Sequence, residues 1–177
     1  MQIGLVALIN ISSYNYARKL QLKLYEQVDV IEELKLEPHI TIKYAIEVDN
    51  LEKIEKYFDE LVAQTEKFEV QIKGVNYFEN EVVFLDIVKN NLLSNLHLKI
   101  LNDLAAKYSI KPSEFEGENF NFHITLAKDL DLEKFKLIKE GLKTENPGFK
   151  IKITQLAMYL LPNQNANWFI YKAGKLK

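Results

Sequence analysis

A chain of 177 residues, 47% hydrophobic and 27% charged, has the size and make-up of one globular domain that buries its core without metals or disulfides. The absence of cysteine excludes disulfide scaffolds, thiolate metal sites and cysteine nucleophiles. A net charge of −2, with Arg18 the one arginine among 23 basic residues, argues against a surface made to grip a long duplex and favours a small phosphate ester or a strand end.

The first residues are apolar but lack the basic start and small-residue cleavage site of a signal peptide, so Ile3 to Ile11 predicts a first strand. A helical stretch from about Tyr14 to Leu34 follows. His39-Ile40-Thr41 then falls on a second strand, Asp49 opens a second helix, and Phe68 to Val75 alternates apolar and polar residues as a half-buried strand does. The same order then repeats. Val82 to Val88 reads as a strand, Leu92 to Tyr108 as a helix, His123-Ile124-Thr125 as a strand, the segment from Asp131 as a helix, and Phe149 to Leu156 as an alternating strand. After the turn-rich Pro162–Asn167 comes a last strand at about 168–173.

The expected fold class is therefore α+β: one bilobal domain over 1–177, built on an internal repeat of about 1–78 and 82–161. We expect two pseudo-twofold-related, mainly antiparallel sheets, one per half, with helices on the outer faces and a central cleft. No apolar run is long enough to span a membrane. A cytoplasmic monomer with no membrane contact and no obligatory protein partner is expected.

Side chains on a strand alternate faces, so the histidine and threonine of each motif point the same way. Strict alternation puts Glu37, His39, Thr41 and Lys43 on one face of the first strand, and Asn121, His123, Thr125 and Ala127 on one face of the second. The opposite faces are largely apolar. Two histidines can divide proton transfer: one, neutral, takes a proton from the attacking hydroxyl or water, and the other, protonated, gives one to the leaving oxygen. Thr41 and Thr125 can donate to non-bridging phosphate oxygens. Lys43 can add positive charge from the His39 face, and Ala127 cannot, which makes the centre asymmetric. No metal or other cofactor is called for.

The paired motifs, His39-Ile40-Thr41-Ile42 and His123-Ile124-Thr125-Leu126, resemble the signature of the 2H phosphoesterase superfamily, especially its bacterial 2′-5′ RNA ligase-like and cyclic phosphodiesterase branch. The resemblance implies metal-free hydrolysis of a 2′,3′-cyclic phosphate on a nucleotide or RNA end, or reversible handling of a 2′-5′ linkage. It leaves open which histidine is acid and which base. A cyclic oligonucleotide or an ADP-ribose cyclic phosphate is an alternative substrate. A non-catalytic module binding a nucleotide or RNA end is the alternative of another class.

Of the remaining residues, His97 borders the apolar stripe of its predicted helix and reads as a structural histidine. Tyr77, Phe78, Tyr159 and Trp168 stand at strand ends where a ring can stack on a base. Trp168, after a polar turn, is the foremost substrate-binding candidate among them.

Overall fold

The computed structural model describes residues 1–177. Its elements are β1 (Gln2–Leu8), α1 (Ile11–Val28), a 3-10 turn (Glu32–Lys35), β2 (His39–Glu47), α2 (Leu51–Gln64), β3 (Phe68–Phe78), β4 (Val82–Ile87), α3 (Asn91–Tyr108), β5 (His123–Ala127), α4 (Leu132–Gly141), β6 (Lys150–Ile153), β7 (Gln155–Leu161) and β8 (Phe169–Lys175). All strand pairings are antiparallel. They make two four-stranded sheets, ordered β2-β1-β7-β8 and β5-β4-β3-β6. The α+β, two-sheet architecture with outer helices is the expected one.

The sheets do not follow the halves of the repeat. The third strand of each half leaves its own sheet: β3 pairs with β4, and β7 pairs with β1. Expecting one sheet per half was therefore wrong, because alternation marks a strand but not its partner. The exchange is symmetric. Val70 and Ile151, which the repeat makes equivalent, sit opposite each other in the β3–β6 pairing, so the pseudo-twofold axis passes through that pair. One core of 41 buried residues runs through both lobes, from Ile3, Ile40 and Ile42 to Val83, Ile124 and Ile153.

Each α-helix begins at a side-chain cap. Asn10, Asn50, Asn90 and Asp131 accept from the amides of Ser13, Lys53, Leu93 and Lys134, three residues on. The α2 cap is Asn50, one residue past the expected Asp49. Helix α1 stops at Asp29, whose backbone turns left-handed (φ 57°), so the predicted extension to Leu34 becomes the 3-10 turn instead. Helix α1 lies against β5 and α4, α3 against β2, and α2 against β7 and β8. No helix is long and apolar enough to cross a membrane.

Candidate active site

Strands β2 and β5 lie beside each other between the lobes, and each opens on its motif histidine. Both motifs run half-buried, buried, half-buried, buried across His-Ile-Thr-Ile or His-Ile-Thr-Leu. The histidine and threonine of each motif thus share the cleft face while Ile40, Ile42, Ile124 and Leu126 fill the core. His39 and His123 are near enough that the charge of one lowers the proton affinity of the other.

The two imidazoles are held alike. His39 Nδ1 lies 2.6 Å from the carbonyl of Glu37, and His123 Nδ1 lies 2.8 Å from that of Asn121. A carbonyl only accepts, so Nδ1 carries hydrogen in both rings and Nε2 is left for chemistry. Aromatic rings brace each imidazole: Tyr159 at 5.0 Å from His39, and Phe78 and Phe84 at 5.0 and 4.9 Å from His123. Burial is the main reason both histidines hold a proton less well than in water. His39 is pushed down to about 4, with its Glu37 bond resisting and the charges of His123 and Lys128 adding to the fall. His123 is also lowered by burial, but its bond to Asn121 and the carboxylate of Asp86 oppose the change.

Strict alternation ends after each threonine. On β2, Val6 faces Thr41 and the next residue of β1, Leu5, faces Lys43, so Ile42 is an extra residue, a β-bulge. On β5, Phe84 faces Thr125 and Val83 faces Ala127, which bulges Leu126. The bulges turn Lys43 and Ala127 away from the histidine face. Placing Lys43 in the cleft as a phosphate-binding cation was therefore incorrect. Its side chain is 1% exposed, and its ammonium lies 2.7 Å from the carboxylate of Glu116, which is wholly buried. Burial pushes the Glu116 carboxyl up. Bonds from Lys43 and from the amides of Ser113 and Tyr44 outweigh that and hold it below the usual range.

Buried polar side chains from the long helices serve the bulged strands. Gln21 of α1 donates to the Thr125 carbonyl at 3.0 Å, and His97 Nδ1 of α3 lies 2.6 Å from the Ile42 carbonyl. His97 Nε2 accepts from the Gly117 amide at 3.1 Å, which fixes the ring as neutral, and Phe120 stacks on it at 4.3 Å. His97 is fully buried rather than at a boundary. His97→Ala should leave the buried Ile42 carbonyl unpaired, at about 1–3 kcal/mol, and free the part-buried Gly117 amide as well. Urea denaturation should show that loss, whereas turnover of the folded variant should stay within a few-fold of wild type. A stability equal to wild type would contradict this role.

Arg18 also supports the site from behind. Its guanidinium donates to the carbonyls of Glu33 (3.1 Å) and Leu36 (2.7 Å) and lies 3.6 Å from the Glu37 carboxylate, so it braces the segment that leads into His39. Sequence reading had no signal for this, since the guanidinium binds carbonyls 15 and 18 residues away.

Two cavities reach neighbours of the histidine pair, and neither is lined by a motif residue itself. One of about 820 Å³ adjoins His123 through Phe78 and Asn121, and is also lined by Tyr44, Tyr77, Phe115 and Phe120. The other, about 260 Å³, is lined by Lys35, Leu36, Lys128 and Trp168. Trp168 is half-buried and packs against the small cluster of Val6, Ala157 and Tyr159, the last being the ring beside His39. Tyr159 itself is nearly fully buried, with its hydroxyl 3.4 Å from the Glu37 carbonyl, and presents little face to a ligand.

Two exchanged antiparallel sheets that bring twin His-x-Thr strands together define a bilobal protein of the 2H type. The family model of the 2′-5′ RNA ligase superfamily matches residues 14–164, and the chain belongs to that superfamily. Among solved structures, Escherichia coli LigT in apo form is 16% identical, with 99% of this chain and 96% of that one covered and a TM-score of 0.58. TT0787 of Thermus thermophilus is 12% identical, with 99% and 98% covered and a TM-score of 0.61. Escherichia coli LigT complexed with 3′-AMP is 16% identical, with 99% and 96% covered and a TM-score of 0.60. Likeness at this identity carries the fold.

Proposed function

We propose that the protein is a phosphodiesterase that hydrolyses 2′,3′-cyclic phosphates of nucleotides or RNA ends, with His39 and His123 as general acid and base and Thr41 and Thr125 binding the phosphate. One observation carries the reading: both imidazoles are fixed at Nδ1 by a carbonyl two residues upstream, leaving two Nε2 atoms on neighbouring strands. That arrangement suits removing a proton from water and giving one to the departing ribose oxygen. The threonines share the histidine face, where their hydroxyls can donate to the oxygens that gain charge. The binding of 3′-AMP by LigT supports a nucleotide as ligand. Trp168 is proposed as a wall of the substrate site, not as a catalytic group.

A small substrate is favoured over a long strand. Carboxylates of Glu79, Glu81, Glu114 and Glu118 line the larger cavity and would repel a continuing row of phosphates. An ADP-ribose cyclic phosphate therefore stands beside the mononucleotides as a candidate, and the same carboxylates disfavour a cyclic oligonucleotide.

The test is turnover of a panel of these compounds, read by mass spectrometry, with and without a chelator. Hydrolysis of a 2′,3′-cyclic phosphate that survives the chelator is expected; nucleotide binding without turnover over hours would overturn the reading. The pH profile adds a further expectation. A base must be neutral and an acid protonated, and both histidines lie below their ordinary value of 6.5. The kcat/KM curve should thus be a bell with its maximum on the acid side of neutrality. A rate still climbing at pH 8 would contradict it.

A further inference from the structure

The larger cavity is walled by two segments outside the motif strands. The end of β3 and the turn into β4 supply Tyr77, Phe78, Glu79 and Glu81, and the loop from α3 to β5 supplies Glu114, Phe115, Glu118 and Phe120. That loop is anchored from inside. The Ser113 amide donates to the buried Glu116 carboxylate at 2.8 Å, the Gly117 amide to His97 at 3.1 Å, and the Phe120 amide to the Gly117 carbonyl at 3.1 Å. With Glu116 held inward, Glu114, Phe115 and Glu118 are left at the surface. Phe115 is 74% exposed. A phenyl ring so open on a loop so firmly tied is contact area without a partner in its own chain.

Charge narrows the chemistry of the missing partner. Five glutamates line the cavity, and no lysine, arginine or histidine does. Lys43 answers Glu116, but Glu79, Glu81, Glu114 and Glu118 form no ion pair. No three of these carboxylates converge as a metal site requires, and calcium or magnesium would need six or more oxygens close together. The negative charge is instead spread round a mouth of aromatic rings, with Tyr44, Tyr77 and Phe78 half-buried in its walls. A ring face attracts a cation, and suits one with an apolar surface. The outlying Lys139 already illustrates this, with its ammonium 5.6 Å from the Tyr77 centroid.

We propose that this cavity is a binding site for an alkylated ammonium ion, a cation with apolar groups round its nitrogen. A quaternary nitrogen donates no hydrogen bond, so it needs no acceptor at bonding distance. The rings meet its methyl groups, and the carboxylates balance its charge from further out. At about 820 Å³ the cavity has room for a ligand larger than the ammonium group alone. Phe78, whose ring lies 5.0 Å from that of His123, joins the cavity to the cleft, so the bound cation stands beside the histidine pair. The site goes beyond the phosphodiesterase reading and does not depend on it.

Choline and its uncharged isostere, in which carbon replaces nitrogen, test the site in the ligand-free protein. Amide signals are followed by NMR as each is added. Choline should shift the signals of residues 77–82 and 113–121 saturably, and should bind about 10-fold more tightly than the isostere. Phe115→Ala should weaken choline about fivefold. Glu79→Gln combined with Glu118→Gln should weaken it about threefold at low salt and less at high salt. All three side chains are exposed, so the variants should fold, and the same spectra show whether they do. Equal binding of the isostere would make this an ordinary apolar pocket and overturn the proposal. Shifts caused by calcium ions but not by choline, the absence of any saturable shift, or undiminished binding by Phe115→Ala would overturn it too. Neither probe carries a phosphate, so none of these outcomes bears on the phosphodiesterase reading, and a failure to hydrolyse any cyclic phosphate would leave the cation site standing.

Discussion

Alanine in place of either His39 or His123 is expected to lower turnover of a 2′,3′-cyclic nucleotide by about 100-fold or more, the usual scale of general acid–base catalysis. Each ring is braced by aromatic neighbours and anchored at Nδ1 to a carbonyl, which holds its Nε2 in a fixed place that no substitute would reproduce. The double variant should lose far less than the product of the two single losses, because the second group has nothing to complete once the first is gone. Thr41→Ala and Thr125→Ala should reduce turnover less, since water can supply part of the lost hydrogen bonding. All four side chains are half-buried at the cleft, so the folds should survive. Purified variants assayed for kcat, with circular dichroism as a check on folding, decide the matter. Near-normal turnover in either histidine variant would make the twin motif structural.

Glu116→Ala should be strongly destabilising, at about 3–5 kcal/mol, the cost of stranding one partner of a buried ion pair. It leaves the Lys43 ammonium in the core with only the Tyr44 carbonyl at 3.3 Å, and removes the acceptor for the amides of Tyr44 and Ser113. Lys43→Met should cost less, because the Glu116 carboxylate keeps both amide donors and can take up a proton. Replacing both, as Lys43→Met with Glu116→Leu, should recover much of the loss. Urea midpoints of the three variants measure this order, and a Glu116→Ala protein as stable as wild type would refute it.

The two motifs, their shared strand position and the repeated element order could be read from sequence because each depends on local period. His39 and Thr41 are two residues apart, and so are His123 and Thr125, before any irregularity intervenes. Lys43 could not be placed in the same way. A bulge at Ile42 shifts the period by one residue, and the apolar pattern offers no warning, since Ile42 is buried on either count. The exchange of β3 and β7 was equally hidden, because an alternating strand satisfies its neighbours in either sheet. His97 could be placed near the apolar stripe of α3, but its partner, the Ile42 carbonyl, lies 55 residues away. Asp86 left a faint mark: it is the one charge within the apolar run Val82–Val88.

The exchanged strands also bear on how the chain is made. Strand β1 is made before the other strands of the two sheets, yet it is an inner strand, and one of its two partners, β7, follows it by about 150 residues of synthesis. Until then β1 has an open edge capable of pairing with another chain, so nascent protein stalled before residue 155 is the form most exposed to aggregation. Contacts that join the ends of a sequence also form slowly, because the whole intervening chain must be brought round first. The stretch from Val82 to Ala127, with β4 and β5 paired beside each other and α3 between them, can by contrast organise early and give the later strands an edge on which to dock.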